Sequence, residues 1–143
     1  MAASTPPPYY RTGKICYVEI PTKDVAQSAQ FYQQVFGWSV RQHGDGSTAF
    51  DDTVGGVSGM WVVGRPPMTV PGMVIHIMVA DAAATIQAIL AAGGAIVQPI
   101  NPAEREVYAL FSDPAGNVLG VYQQAGLAES EAALAANEAH ETL

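Results

Sequence analysis

The chain has 143 residues, one cysteine, and thirteen acidic against six basic side chains, for a net charge of −7. That length suits one domain able to bury about 70% of its unfolded surface, so no staple is needed, and Cys16 alone excludes an internal disulfide. No basic cluster marks a nucleic-acid face and no apolar run approaches the ~20 residues of a membrane span, so neither nucleic acid nor membrane is an expected partner.

Four of the glutamates, Glu129, Glu131, Glu138 and Glu141, lie in the C-terminal tail; up to residue 126 the balance is six basic against nine acidic. The charge therefore describes a soluble surface, one that can favour cationic ligands. The start, residues 1–13, is rich in Pro, Ala and Ser and lacks the basic and apolar regions of a signal peptide, which predicts a disordered lead-in. A reduced, cytoplasmic setting is the expectation.

Lys14 to Ile20 alternates Cys16, Val18 and Ile20 with Ile15, Tyr17 and Glu19, the period-2 pattern of a strand closed by Pro21. Asp24 stands as the N-cap of a helix with Gln27 at N3, a capping-box spacing, and Gly37 ends the helix after Phe36. The helix buries its apolar stripe on Cys16, Val18 and Ile20, which sends Tyr17 and Glu19 to the opposite face. Trp38 to His43, Gly44–Gly46 and Ser47 to Asp51 read as a hairpin, and Val57 to Val63 as a fourth strand. The Pro- and Gly-rich stretch 64–72 reads as a linker.

The plan then recurs. Val74 to Val79 is a strand, Asp81 to Ala92 a helix stopped by Gly93-Gly94, Ala95 to Gln98 and Val107 to Ser112 two strands. Asp113-Pro114-Ala115-Gly116-Asn117 has the composition of a type I turn and leads into the last strand, Val118 to Gln123. An alanine-rich helix follows from Ala128 to about His140. A shift of 57 residues lays Tyr17–Asp24 on Val74–Asp81, which reads as an internal duplication of a βαβββ module.

These features resemble the vicinal oxygen chelate superfamily, which includes glyoxalase I, extradiol dioxygenases and bleomycin-resistance proteins: Asp24 to Tyr32 with Phe36-Gly37-Trp38, the paired Gly93-Gly94, and Asp113-Pro-Ala-Gly116 before a strand. The resemblance implies an α+β fold of two βαβββ modules, 14–63 and 73–124, joined by the linker 64–72 in a single domain 14–126. The modules would curl into a half-open barrel around a ligand cavity, with a helical tail 127–143 and a homodimer as the common assembly.

Catalytic members of that family draw a metal ligand from each of four strands. By the resemblance those positions fall on Tyr17, Gly59, Val74 and Gly120, with Met60 replacing Gly59 if the fourth strand is shifted by one residue. None of these is the imidazole or carboxylate that such metals prefer, so no metal or other cofactor is expected.

Glu19 and His76 are related by the 57-residue shift and lie two residues beyond the first and third of these positions. They suit a general acid/base pair, anchors for a polar ligand, two ligands of a displaced metal, or polar residues that only specify packing. Tyr17, Met60, Met78 and Tyr122 are candidates to line the same site, and Trp61 faces away if Met60 faces in. Asp24 and Asp81 are read as caps, Cys16 as a small buried hydrophobe, and His43 and His140 as solvated.

The expected function is metal-independent binding of a small organic molecule. The alternatives are an enzyme, either a metal lyase, isomerase or dioxygenase or a metal-free acid/base catalyst using His76 and Glu19, and a protein-interaction domain.

Overall fold

The computed structural model describes residues 10–141. Most of the expected lead-in therefore lies outside the described residues, as do the last two residues of the tail. The chain divides into two compact units between Pro66 and Pro67.

In the first unit, β1 (Tyr17–Pro21), α1 (Val25–Phe36), β2 (Ser39–Gln42), β3 (Thr48–Asp51) and β4 (Ser58–Val62) form a four-stranded sheet in the order β1-β4-β3-β2. β1 runs parallel to β4, and the other pairs are antiparallel. The second unit has the same plan: β5 (His76–Val79), α2 (Ala82–Ala91), β6 (Ala95–Gln98), β7 (Tyr108–Ser112) and β8 (Val118–Gln123), in the order β5-β8-β7-β6. α3 (Leu127–Glu141) follows, and its residues 128–139 are exposed throughout. No helix among the described residues is long and apolar enough to cross a membrane.

Both aspartates cap their helices. The Asp24 carboxylate accepts from the Gln27 amide at 3.1 Å, and that of Asp81 from the Ala84 amide at 3.0 Å. The returning arm expected of a capping box is not made by Gln27; the Asp24 amide donates to Thr22 Oγ1 at 3.0 Å instead. α1 stops at Gly37, whose φ of 72° gives the left-handed cap a residue with a Cβ adopts only at a cost.

The first unit's core is aromatic. Tyr32 from α1 stacks on Trp38 at 4.7 Å and meets Trp61, Phe31 lies edge-on to Tyr32, and Phe50 packs between Trp38, at 4.6 Å, and Trp61. Gly59 belongs to this face: a Cβ there would lie 2.7 Å from Phe50 Cε1 and would also overlap the Val18 carbonyl oxygen. In the second unit Val79, Ala82, Ile89, Ala109, Leu119 and Val121 form a mainly aliphatic core around one aromatic ring, that of Phe111.

The Asp113–Asn117 turn is held by its own side chains. The Asp113 carboxylate accepts from the amides of Ala115 and Asn117 and from the Asn117 side chain, all within 3.0 Å. Asn117 in turn accepts from the Met68 amide at 2.9 Å, so the segment entering this unit is fastened beneath the turn.

Three expectations are corrected. The first strand begins at Tyr17 and not at Lys14, and Cys16, outside it, is exposed and not a buried hydrophobe. It lines a pocket of about 370 Å³ with Arg11, Lys14, Gly56 and Ser58. Trp38, expected to open a strand, precedes β2 and is buried in the core.

Candidate functional site

Because successive strand residues point to opposite faces, burying Ile20, Phe50 and Trp61 under α1 fixes what occupies the other face of the first sheet. The register gives two rows there. One is Glu19, Met60, Ala49 and Arg41; the other is Tyr17, Ser58, Asp51 and Ser39. Tyr17, Glu19 and Met60 thus share this face, Met60 through the parallel register with β1.

Charge on this face is internally paired. Glu19 meets Arg65 at 3.0 Å, a half-exposed ion pair, and Arg41 grips Asp51 through Nε at 2.9 Å and Nη2 at 3.2 Å. Asp51 also accepts from the Ser58 hydroxyl at 2.5 Å. The Arg41 and Ser58 hydrogen bonds hold the Asp51 carboxyl below the usual carboxylate range, and the same contact raises Arg41 above its ordinary value.

The second sheet has the matching arrangement. Its face away from α2 carries the row His76, Gly120, Leu110 and Gln98 beside the row Met78, Tyr122 and Tyr108. His76 with Gly120 therefore occupies the ladder place that Glu19 with Met60 holds in the first sheet. The parallel registers settle which fourth-strand residue faces this side: it is Met60, while Gly59 lies on the helix side.

Gly120 is not simply a vacant position. The His76 imidazole lies across it, so that a Cβ at Gly120 would come within 2.5 Å of His76 Cε1 and 3.0 Å of Cγ, and the ring reaches Tyr108 edge-on with centroids 6.0 Å apart. Tyr122, next to Tyr108 in the ladder, donates its hydroxyl to Glu106 at 2.5 Å. That hydrogen bond, with lesser contributions from burial and the carboxylate's charge, pushes the Tyr122 phenol above its ordinary range. Met78 flanks Tyr122 and is 59% exposed.

Tyr108 and Glu106 were not among the residues singled out from the sequence. The alternation within Val107–Ser112 contains the signal, since Tyr108 and Leu110 share a parity opposite to Ala109 and Phe111. Their placement beside His76 and Tyr122 depends on cross-strand register.

The family positions do not fit a divalent metal. Tyr17 and Met60 offer a phenol and a thioether, Val74 precedes β5 and has no donor, and the space over Gly120 is filled by the His76 ring. Among the described residues no group of three or more His, Cys, Asp or Glu side chains is arranged to hold a metal ion.

Two sheets of this topology, each with its helix on one face, point to a particular family, and the model of the Glyoxalase/Bleomycin resistance protein/Dioxygenase superfamily matches residues 14–121. The chain belongs to that superfamily. A curated relative in Mycobacterium tuberculosis, named "Putative glyoxylase CFP32", is 27% identical over 124 residues, covering 80% of this chain and 47% of its own. The chain thus spans about half the length of the curated relatives it matches.

Solved structures share the fold. The fosfomycin resistance protein FosX of Listeria monocytogenes superposes with a TM-score of 0.67 at 15% identity, covering 81% of this chain and 94% of that one. TnmS3, an antibiotic binding protein from Streptomyces sp. CB03234, gives 0.60 at 22% identity, covering 81% and 99%.

Proposed function

We propose that this superfamily member is a metal-independent small-molecule-binding protein, and that the candidate contacts lie, within each unit, on the sheet face turned away from its own helix. Tyr17, Glu19 and Met60 carry the first unit's contacts, and His76, Met78 and Tyr122 the second's. The observation that supports this most is the His76 ring seated over Gly120, one of the four positions at which the family resemblance puts a metal ligand. Glu19 is already engaged by Arg65, which favours an anchoring role over that of the carboxylate in an acid/base pair.

The likeness to an antibiotic binding protein and to a fosfomycin resistance protein agrees with a role in sequestering a compound. A homodimer and a cytoplasmic setting belong to the same proposal. Its test is a thermal-shift screen of amphiphilic, aromatic and cationic compounds in the presence of chelator. A ligand at 100 times its dissociation constant should stabilise the fold by about 2.7 kcal/mol. The absence of any shift across all three classes would contradict the reading, and turnover of a compound that depends on added metal would replace it with the enzymatic one.

A further inference from the structure

The second sheet's open face has more structure than a generic apolar surface. His76, Tyr108 and Tyr122 place three aromatic rings within two adjoining rows, and Gly120 leaves the middle of the face without a side chain of its own. Both phenols are tied at their hydroxyls, Tyr122 to Glu106 and Tyr108 weakly to Gln98 at 3.5 Å. Glu106 closes one end of this group with an exposed carboxylate that accepts one hydrogen bond from Tyr122 and retains acceptor capacity for a ligand.

We propose that Glu106 and Tyr108 set the ligand specificity of this face, and that the compound it takes is an aromatic cation. Its ring lies against Tyr108 and His76 while its positive group meets Glu106. The proposal rests on the binding function argued above and deepens it. The physical basis is twofold: tyrosine faces attract cations through their quadrupole, and an exposed carboxylate adds a modest ion pair. Arg105 also lies in electrostatic reach of Tyr122 and opposes a cation there, so its charge lowers the affinity that Glu106 raises.

The experiment compares two acridines of similar shape and opposite charge, the proflavine cation and acridine-9-carboxylate, binding to the full chain by fluorescence titration at low salt. The wild-type protein should prefer proflavine. Glu106→Gln should reduce that preference about two- to fivefold, the scale of an exposed ion pair, and Arg105→Gln should increase it. Tyr108→Leu should weaken both probes about three- to tenfold through lost stacking. The double variant Glu129→Gln/Glu131→Gln, which changes charge on the exposed helix α3 alone, should keep the preference.

A preference that survives Glu106→Gln, or that the α3 variant abolishes to the same extent, overturns the assignment of Glu106. Equal binding of both probes, weakened by Tyr108→Leu, overturns cation selectivity and leaves the binding function standing. Binding of neither probe by the wild-type protein overturns the aromatic-cation proposal and leaves the binding function to the compound screen.

Discussion

Adding one methyl group at each of two glycines separates the two faces of these sheets. At Gly59 the new Cβ would sit 2.7 Å from Phe50 Cε1 and would overlap the Val18 carbonyl, and neither group can step aside. Phe50 is wedged between Trp38 and Trp61, and the Val18 carbonyl belongs to the β1–β4 ladder. Overpacking of this kind costs about 1–3 kcal/mol and more where backbone must move, so Gly59→Ala should lose at least about 3 kcal/mol. At Gly120 the obstacle is the far end of the exposed His76 side chain, which can rotate away. The cost of that rotation is offset by the ~0.4–1 kcal/mol that Gly→Ala gains from a less flexible unfolded chain, leaving Gly120→Ala within about 1 kcal/mol of wild type.

Thermal melts followed by circular dichroism read both values. At about 2–4 °C per kcal/mol for a chain of this size, Gly59→Ala should melt roughly 6–12 °C lower and Gly120→Ala within about 4 °C of wild type. The ¹H–¹³C resonance of the His76 Cε1 group should move in Gly120→Ala as its contact with Tyr108 is lost, and stay in place under conditions where Gly59→Ala is still folded. Equal destabilisation by the two substitutions would refute the placement of Gly59 in the core and of Gly120 beneath His76.

Other consequences follow from single contacts. Asp24→Ala and Asp81→Ala should each cost about 1 kcal/mol in urea unfolding, the usual worth of an N-cap, and Asp→Asn at either site much less. Asn117→Ala removes the acceptor of the Met68 amide and a partner of Asp113, and should cost about 1–3 kcal/mol. Asp51 has a folded-state pKa below its unfolded value, so its contribution is present above the unfolded pKa and is lost as the pH falls through the folded one; Arg41→Gln should raise that pKa, as read by carboxyl ¹³C titration. Tyr122 is shifted the other way, its protonated form favoured, and Glu106→Gln should lower its pKa towards the ordinary phenol value in a ¹³C-tyrosine titration.

Much of this architecture is legible in the sequence because its signals are local. Asp24, Asp81 and Gly37 announce helix ends through backbone chemistry a few residues wide, and the alternation through Tyr17–Ile20 assigns faces without any partner strand. β6 and β8 have the boundaries expected. What needs a partner strand is not legible: whether Gly59 or Met60 faces the helix depends on the parallel register with β1, and the Glu19–Arg65 pair joins residues 46 apart. Cys16 continues the alternation of β1 and so reads as buried, yet it precedes the strand. Tyr108 and Glu106 escape for a related reason, since they become part of a site only through Tyr122 and His76 on neighbouring strands.

Metal content bears most directly on the central claim. Elemental analysis would be made on protein purified without chelator or affinity tag, alongside Glu19→Ala and His76→Ala. The account predicts no stoichiometric divalent metal in any of the three, and ligand binding unchanged by chelator. One equivalent of metal per chain, lost in both variants, would contradict it and show that metal binding requires both side chains.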